Sequence, residues 1–231
     1  MPGHFKPDRA TPSDLACAVS QVERLLSGWF PSETFVKAAR IDDYAILPEE
    51  QALVARAVDR RRREFATGRW LSREGLRTLG LPDRPIMMGQ LRNPLWPESV
   101  IGTISHDGDL CAVALRCKSG GPVMGIGMDL VSLPQRAGRM DELAPMFVAS
   151  DGEMDCVAAL EAPVDPALLL FSLKESVIKA MSFRLVDFVD MRAIEIRRGN
   201  SFEIRMAGAV IAADLFAAVT DGYLVTAANV R

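Results

Sequence analysis

Apolar residues recur at helical spacing in two segments of the first third of the chain. Residues 13–28 combine this spacing with an aspartate near the start and a glycine at the end, which predicts a helix. Residues 48–80 hold the longest helical pattern, although Gly68 and Gly75 weaken it. Residues 82–99 contain four prolines, so we expect an ordered loop there.

Beyond residue 99 the pattern changes to one that is typical of strands. Residues 100–105 and 110–116 predict two strands joined at Asp107-Gly108, a dipeptide that suits the positive φ of a tight hairpin turn. A third strand is expected at 123–131, and a helix at 168–181. The remaining strands are predicted at 191–198, at 202–206 and on both sides of Asp221-Gly222.

A weak internal repeat links the two ends of this pattern. The segment SHDGDLCAVAL at 105–115 is similar to VTDGYLVTAAN at 219–229. Two unrelated Asp-Gly hairpins would explain the similarity equally well. If the repeat is real, the chain consists of two similar α+β halves joined near residues 118–122, where Gly and Pro predict a linker.

Composition excludes several classes of protein. The chain has 231 residues, 49% hydrophobic and 25% charged, which is typical of a globular protein. No apolar run reaches the ~18 residues of a membrane span, and the N-terminus does not resemble a secretory signal. The four cysteines form no C-x-x-C pair, which favours free thiols in the cytoplasm, and two histidines exclude a multi-histidine metal centre.

Positive charge is concentrated in one segment, although the net charge of the chain is −3. Residues 56–77 contain eight arginines against three acidic residues. An anionic ligand would explain this concentration, and so would a solvated basic helix face. On a helix Arg62, Arg69 and Arg73 lie near one face. Nucleic acid is a further possibility, but aromatic residues are few and no known module accompanies the arginines.

Two acidic residues are candidates for a metal site. Asp129 has apolar neighbours in a predicted buried strand, where a carboxylate is costly unless it is paired or bound to metal, although an aspartate that merely ends a strand would explain it equally well. Glu175 and Lys179 are i, i+4 neighbours on the predicted helix, which by itself indicates only a surface ion pair. Asp129 and Glu175 together would form an oxygen-ligand site of the kind that holds Mg²⁺ beside substrate phosphates.

Ser105 and His106 end a predicted strand and could donate hydrogen bonds to a phosphate, although a histidine in a turn needs no such role. With the carboxylates, lysines and arginines, they form a set of groups suited to phosphoryl transfer from a phosphoanhydride. The sequence contains neither a G-x-x-x-x-G-K-[ST] loop nor a G-x-G-x-x-G motif, which disfavours the common nucleotide-binding folds.

Four blocks of sequence resemble the 4′-phosphopantetheinyl transferases, in particular the Sfp/EntD-like group. In chain order they are RREFATGR at 62–69, the loop from Pro85-Ile86 to PLWP at 94–97, GTISH at 102–106, and GMD at 127–129 with FSLKESVIK at 171–179. The resemblance implies a pseudo-dimer of two α+β halves, which we expect at 1–117 and 123–231. It also implies coenzyme A and Mg²⁺, an apo acyl or peptidyl carrier protein as acceptor, and a monomer.

The resemblance implies roles for individual residues. Asp129 and Glu175 would hold Mg²⁺, with Glu175 also helping to deprotonate the serine of the carrier protein. Lys174 and Lys179 would contact the phosphates, and Lys179 would act with the two acids as a catalytic residue. Phosphates at the adenosine end would be bound by Arg61 and Arg69, and the 3′-phosphate by Ser105 and His106.

The chain departs from the family pattern at two positions. Many members have Gly-x-Asp-x-Glu, but Val131 stands at the last position here, so water or the backbone of Leu130 would replace one metal ligand. A basic residue often follows the glycine of the proline-rich loop, where this chain has Leu91 and then Arg92. A non-catalytic module that binds coenzyme A or a nucleotide is therefore the alternative function.

Overall fold

A computed structural model describes residues 12–118, 121–135, 140–199 and 201–231. Within these ranges, no helix combines the length and apolarity that crossing a bilayer requires. Part of the predicted linker at 118–122, namely Ser119 and Gly120, lies outside the described residues.

Within the described residues, the first half contains three helices and a three-stranded antiparallel sheet in the order β1-β3-β2. Its elements are α1 Pro12–Trp29, β1 Phe35–Arg40, α2 Pro48–Val54, α3 Asp59–Thr78, β2 Val100–Asp107 and β3 Leu110–Cys117. The predicted first helix and the hairpin are confirmed. β1 was not predicted from the sequence.

The prediction of a single helical segment over 48–80 is wrong, because α2 and α3 are separate helices. The extended backbone of Val58 separates them. This break lets α2 fold back so that the buried Glu50 accepts a hydrogen bond from Arg73 of α3 at 2.9 Å and one from the amide of Ile86 at 2.9 Å. A continuous helix could not bring Glu50 and Arg73 together.

The second half is a five-stranded antiparallel sheet in the order β4-β8-β7-β6-β5, covered by helices. Its elements are β4 Gly125–Ser132, α4 Met140–Leu143, α5 Gly152–Ala158, α6 Pro166–Ala180, β5 Ile194–Arg198, β6 Phe202–Met206, β7 Ala209–Thr220 and β8 Tyr223–Val230. Asp165 caps α6 by accepting from the amides of Ala167 and Leu168. The strand predicted from residue 191 begins only at Ile194, after one 3₁₀ turn.

The two halves share one strand order. In each half the first strand pairs with the last strand of a hairpin, which gives β1-β3-β2 and β4-β8-β7. A long helix, α3 or α6, precedes each hairpin. Both hairpin turns contain a glycine with positive φ, Gly108 at 57° and Gly222 at 79°. The expected α+β fold is confirmed, with helices against antiparallel sheets.

The edge strands of the two sheets, β2 and β4, lie side by side without a backbone ladder between them. Instead, three side chains of β2 accept hydrogen bonds from alternate amides of β4. The pairs are Thr103 with Met128 (3.3 Å), Ser105 with Leu130 (3.1 Å) and Asp107 with Ser132 (2.9 Å). We call this contact the β2–β4 seam. It brings the end of β2 to the strand that carries Asp129.

Candidate active site

Asp129 lies on β4 at the β2–β4 seam and is only 8% exposed. Its Oδ1 accepts from Lys179 Nζ at 2.7 Å and from Ser105 Oγ at 3.1 Å, and its Oδ2 accepts from Ser172 Oγ at 3.0 Å. The three donors come from α6 and β2. A cation and two hydroxyl donors thus satisfy this buried carboxylate at the place where the two halves meet.

Two glycines on β4 allow α6 to approach this strand closely. A Cβ atom on Gly125 would lie 1.9 Å from the carbonyl oxygen of Ala180, and one on Gly127 would lie 1.9 Å from that of Ser176. Both distances are far shorter than van der Waals contact. Because strand residues two apart face the same side, both glycines and Asp129 face α6. The helix therefore reaches Asp129 with short side chains such as Ser172.

A buried network of hydroxyl groups holds the Asp129 side of α6 in place. Thr226 Oγ1 on β8 lies 2.8 Å from Ser172 Oγ and 2.8 Å from Ser176 Oγ, and it donates to the carbonyl of Ser172 at 3.1 Å. All three hydroxyl residues are fully buried. The network ties α6 to the sheet and orients Ser172 toward the carboxylate.

Lys179 and Glu175 line a cavity of about 230 Å³ between the halves. Arg92 of the proline-rich loop, together with Thr103 and Ile104 of β2, lines the same cavity. Lys179 Nζ also donates to Ser105 Oγ at 3.1 Å. The lysine thus connects Asp129 to the cavity that Glu175 lines.

Arginines and His106 line an adjacent cavity of about 110 Å³. Its polar wall is formed by Arg61, Glu64, Arg69, Arg92 and His106. Arg92 and Ile104 line both cavities. Three guanidinium groups around so small a space favour an anionic ligand.

His106 is held between two residues of α3. Its Nε2 lies 2.7 Å from Nη1 of Arg61, and its Nδ1 lies 3.5 Å from Oε2 of Glu64. Burial lowers the pKa of His106 to about 4; Glu64 opposes this shift and Arg61 adds to it. Burial acts to raise the pKa of Glu64, but His106, Arg60 and Arg61 outweigh it, so that pKa lies below its ordinary value.

Arg69 is 5% exposed and is fixed on several sides. Its Nε donates to the carbonyl of Ile86 at 2.8 Å and lies 4.0 Å from Oε1 of Glu50. Its guanidinium carbon lies 4.3 Å from the centre of the Phe65 ring. Burial lowers the pKa of Arg69 to about 10, against the effect of Glu50, so the side chain remains charged at neutral pH.

The other two arginines expected on that face of α3 do not join the cavity lining. Arg73 is buried and paired with Glu50. Arg62 is exposed and donates to the carbonyl of Ala55 at 3.0 Å. Their common face on α3 therefore did not separate Arg69, which lines the cavity, from Arg73, which joins α3 to α2.

Lys174 is not brought to this site. It is fully buried, and its Nζ donates to Glu153 and to the carbonyls of Phe147 and Met191. Lys174 therefore does not face the cavities, and its position does not support the phosphate contact that the resemblance implied. Glu153 also accepts from the amides of Ala149 and Ile196, at 2.6 and 2.8 Å.

Ser105 and His106 are neighbours in sequence but point to different places. Ser105 is buried at the seam, where its hydroxyl contacts Asp129, Lys179 and the amide of Leu130, whereas His106 lines the arginine cavity. Alternation of side chains along β2 explains the separation. Ser105 therefore does not line the cavity that His106 lines, and their joint contact with a phosphate stays a prediction.

The residues present would suit a Mg²⁺ ion that is bound partly by carboxylates of the protein and partly by phosphates of a substrate. Among the described residues, no three His, Cys, Asp or Glu side chains form a group that could hold a metal. Asp129 and Glu175 provide two carboxylates, whereas Val131 lies in the apolar core at 2% exposure. Mg²⁺ is commonly held by one or two carboxylates with phosphates and water, so the set fits a magnesium–phosphate complex.

Glu64, Ser172 and Thr226 belong to the site but were not singled out from the sequence. Glu64 stands three and four residues after Arg61 and Arg60, a spacing at which helical side chains meet, so this pairing was available in the sequence. Thr226 is far from α6 along the chain and becomes its neighbour only through the pairing of β8 with β4.

Comparison with known proteins agrees with these features. A family model of the 4′-phosphopantetheinyl transferase N-terminal domain matches residues 49–116, and a model of the 4′-phosphopantetheinyl transferase superfamily matches residues 125–228. Together the two models cover about three quarters of the chain.

Individual relatives carry related names. The chain is 33% identical to 4′-phosphopantetheinyl transferase Svp of Streptomyces mobaraensis over 69% of this chain and 64% of Svp. It is 36% identical to enterobactin synthase component D of Salmonella typhimurium over 63% and 58% of the two chains, and 31% identical to 4′-phosphopantetheinyl transferase PptT of Mycobacterium tuberculosis over 48% and 53%. The matched region thus spans less than two thirds of each of these relatives.

Proposed function

Since the chain belongs to the 4′-phosphopantetheinyl transferase superfamily, we propose that it transfers the 4′-phosphopantetheine group of coenzyme A to a serine of an apo carrier protein and releases adenosine 3′,5′-bisphosphate. One observation carries the proposal. Asp129 from one half and Ser105 from the other meet Lys179 beside a cavity that Glu175 lines. This arrangement supports a site in which charged side chains would face the phosphoanhydride that is cleaved.

The two cavities match the charge distribution of coenzyme A. The donor carries a diphosphate and, on its ribose, a separate phosphate group. The larger cavity, with Lys179 and Glu175, would accept the diphosphate, and the cavity lined by Arg61, Arg69 and His106 would accept the ribose phosphate. Arg92 lines both cavities and would contact the donor between its two anionic groups.

Asp129 and Glu175 would hold Mg²⁺. The amide of Leu130 faces β2, and since the N–H and C=O of a strand residue point to the same side, its carbonyl faces the seam and could add a ligand. When bound, Mg²⁺ neutralises charge on the diphosphate during transfer. Lys179 would add a second positive charge that is fixed before the reaction.

Residues of the chain would accept the proton of the attacking serine and bind the leaving group. The serine oxygen of the carrier protein forms a bond to the phosphorus next to pantetheine, while the bond between this phosphorus and the bridging oxygen breaks. The serine proton passes to Glu175, directly or through one water. Adenosine 3′,5′-bisphosphate leaves with the electron pair of the broken bond, and Arg61 and Arg69 retain its phosphate until release.

The test is the mass of an apo acyl or peptidyl carrier protein incubated with coenzyme A and the enzyme. We expect a gain of one phosphopantetheine group with Mg²⁺ and no gain with EDTA. Asp129→Asn and Glu175→Gln should each lower the rate by about 10²-fold or more, since each removes a charge fixed at the reacting group. Asp43→Asn, which neutralises an exposed acid that lines neither cavity, should leave the rate unchanged.

The apolar Val131 favours one alternative, a module that binds coenzyme A without catalysis. In that case calorimetry would show equal binding with and without Mg²⁺, and no modified carrier protein would form. Full activity of both the Asp129 and the Glu175 variants would contradict the proposed metal site.

We further propose that residues 1–117 and 123–231 are the two similar halves of a pseudo-dimer, and that the enzyme acts as a monomer. The shared strand order β1-β3-β2 and β4-β8-β7 supports the first statement. The second is supported by the origin of the site, because both halves of one chain contribute its residues.

A further inference from the structure

Glu64 is an unexpected residue in a cavity lined by guanidinium groups. It is 8% exposed, and its carboxylate contacts Arg60 Nε at 3.0 Å and Arg61 Nη1 at 3.2 Å. A negative charge at the wall of an anion-binding cavity repels an anionic ligand. Its presence there therefore suggests a function that offsets this repulsion. The contact between Glu64 and His106 indicates such a function.

The geometry defines the protonation of His106 in the absence of ligand. Nη1 of Arg61 can only donate, so Nε2 of His106, 2.7 Å away, must be the acceptor. The single ring proton is then on Nδ1, which lies 3.5 Å from Oε2 of Glu64. His106 is therefore neutral, with its proton toward the carboxylate.

Charged groups from several elements surround His106. Glu64 and Arg61 of α3 contact it, and Arg69 and Arg92 line the same cavity. The charges of Arg61 and Lys179 oppose a positive charge on the imidazole, and those of Glu64 and Asp107 favour it. A phosphate that draws Arg61 away from the ring would remove one opposing contact and add a strong favourable one.

We propose that Glu64 is a positioning residue which makes His106 bind the ribose phosphate of coenzyme A as an imidazolium ion, so that binding takes up one proton from solution. The proton is added to Nε2 of His106, which then donates to a phosphate oxygen, while Nδ1–H remains directed at Glu64. No covalent bond forms or breaks, and the buffer supplies the proton. The inference rests on the proposed binding of coenzyme A.

The experiment is isothermal titration calorimetry at pH 7.0 in two buffers that differ in ionisation enthalpy, because their difference gives the number of protons taken up. With the wild-type chain we expect about half a proton or more for each coenzyme A bound. For 3′-dephospho-coenzyme A, which keeps the diphosphate but lacks the ribose phosphate, we expect less than about a fifth of a proton. This pair of ligands separates the two phosphate groups.

Two variants test the residues. Glu64→Gln should reduce proton uptake with coenzyme A to the value seen with 3′-dephospho-coenzyme A, and should weaken binding about tenfold at pH 7.0 and less at pH 6.0. His106→Gln should abolish the uptake. Glu74→Gln makes the same charge change on α3 at a residue that does not line the cavity, and should behave like the wild type.

The outcomes are distinct. Binding of coenzyme A without proton uptake, or uptake that persists in Glu64→Gln or His106→Gln, would overturn the inference and leave the proposed transferase intact. Failure of the wild-type chain to bind coenzyme A at all would overturn both. If the Glu64 variant does not fold, as judged by circular dichroism, the two ligands on the wild type and the His106 variant still decide whether His106 takes up a proton, and an uptake of zero would overturn the inference.

Discussion

Lys174 and Lys179 are five residues apart on α6, and the helix turns them about 140° away from each other. Lys174 is buried with Glu153 on the side of α5 and β5, whereas Lys179 reaches Asp129 at the seam. Within one motif, Lys174 thus pairs with Glu153 in the protein interior, whereas Lys179 contacts Asp129 at the candidate site.

Replacing each lysine separately should affect different properties, namely stability for Lys174 and transfer rate for Lys179. Lys174→Met leaves Glu153 buried without its cation, so we expect a loss of about 3–5 kcal/mol in the free energy of unfolding. Lys179→Met should lower the transfer rate by about 10²-fold or more. We expect it to reduce stability less, because Asp129 retains two hydroxyl donors. Urea unfolding and the carrier-protein mass assay measure the two quantities.

Equal loss of stability in both variants, with no selective loss of transfer rate for Lys179→Met, would contradict this division of roles.

At the scale of single residues, the sequence predicted residue types better than the directions of their side chains. Asp129, Lys179, Arg61, Arg69 and His106 all line or border the site as expected. The roles implied for Lys174 and Ser105 assumed directions that the sequence does not define, since these directions depend on which face of α6 or β2 meets the other half.

At the scale of elements, the crossing of α6 over β4 decides whether the site forms. Sequence patterns located both elements to within two residues at each end. They did not indicate why Gly125 and Gly127 occur together, because only the structure shows the carbonyls of Ala180 and Ser176 against them. The break between α2 and α3 was missed for a similar reason, since it depends on the distant pairing of Glu50 with Arg73.

Gly127→Ala should push α6 away from β4. The added methyl would meet the Ser176 carbonyl at 1.9 Å, so the helix must move. We expect a loss of about 1–3 kcal/mol in stability, or more if the backbone cannot adjust, together with a clear fall in transfer rate because Ser172 and Lys179 move relative to Asp129. Thermal unfolding and the mass assay test this.

A control for this substitution is Gly28→Ala, at the end of α1, where a Cβ would meet nothing within 4 Å. We expect it to be neutral or to stabilise the helix by up to about 1 kcal/mol. Wild-type rate and stability in Gly127→Ala would show that α6 tolerates the extra atom and that the glycine is not needed for this crossing.

In the part of the chain that the structure describes, the two sheets share a hydrophobic core. One buried apolar cluster combines Leu26 of α1 and Ala112 of β3 with Met128 of β4 and Val225 of β8. The second half has a further cluster of its own beneath α6, and the first half has one beneath α3. The shared cluster joins the halves more firmly than a contact between separate domains would.

We therefore expect the chain to unfold in a single transition. Calorimetry should give a ratio of calorimetric to van't Hoff enthalpy near one. A fragment of residues 12–118 made alone should remain largely unfolded, because it would expose the apolar residues that now pack against β4 and β8. Two resolved transitions, or a folded fragment, would show that each half is a separate folding unit.

The β2–β4 seam has a consequence for solubility. Edge strands with unpaired amides are templates on which a foreign strand can assemble, and both sheets end at this contact. Thr103, Ser105 and Asp107 already occupy alternate amides of β4, so the edge offers few free donors to a passing chain. These side-chain oxygens, of which Ser105 Oγ also donates to Asp129, therefore protect the edges of β2 and β4 against pairing with a strand of another protein molecule.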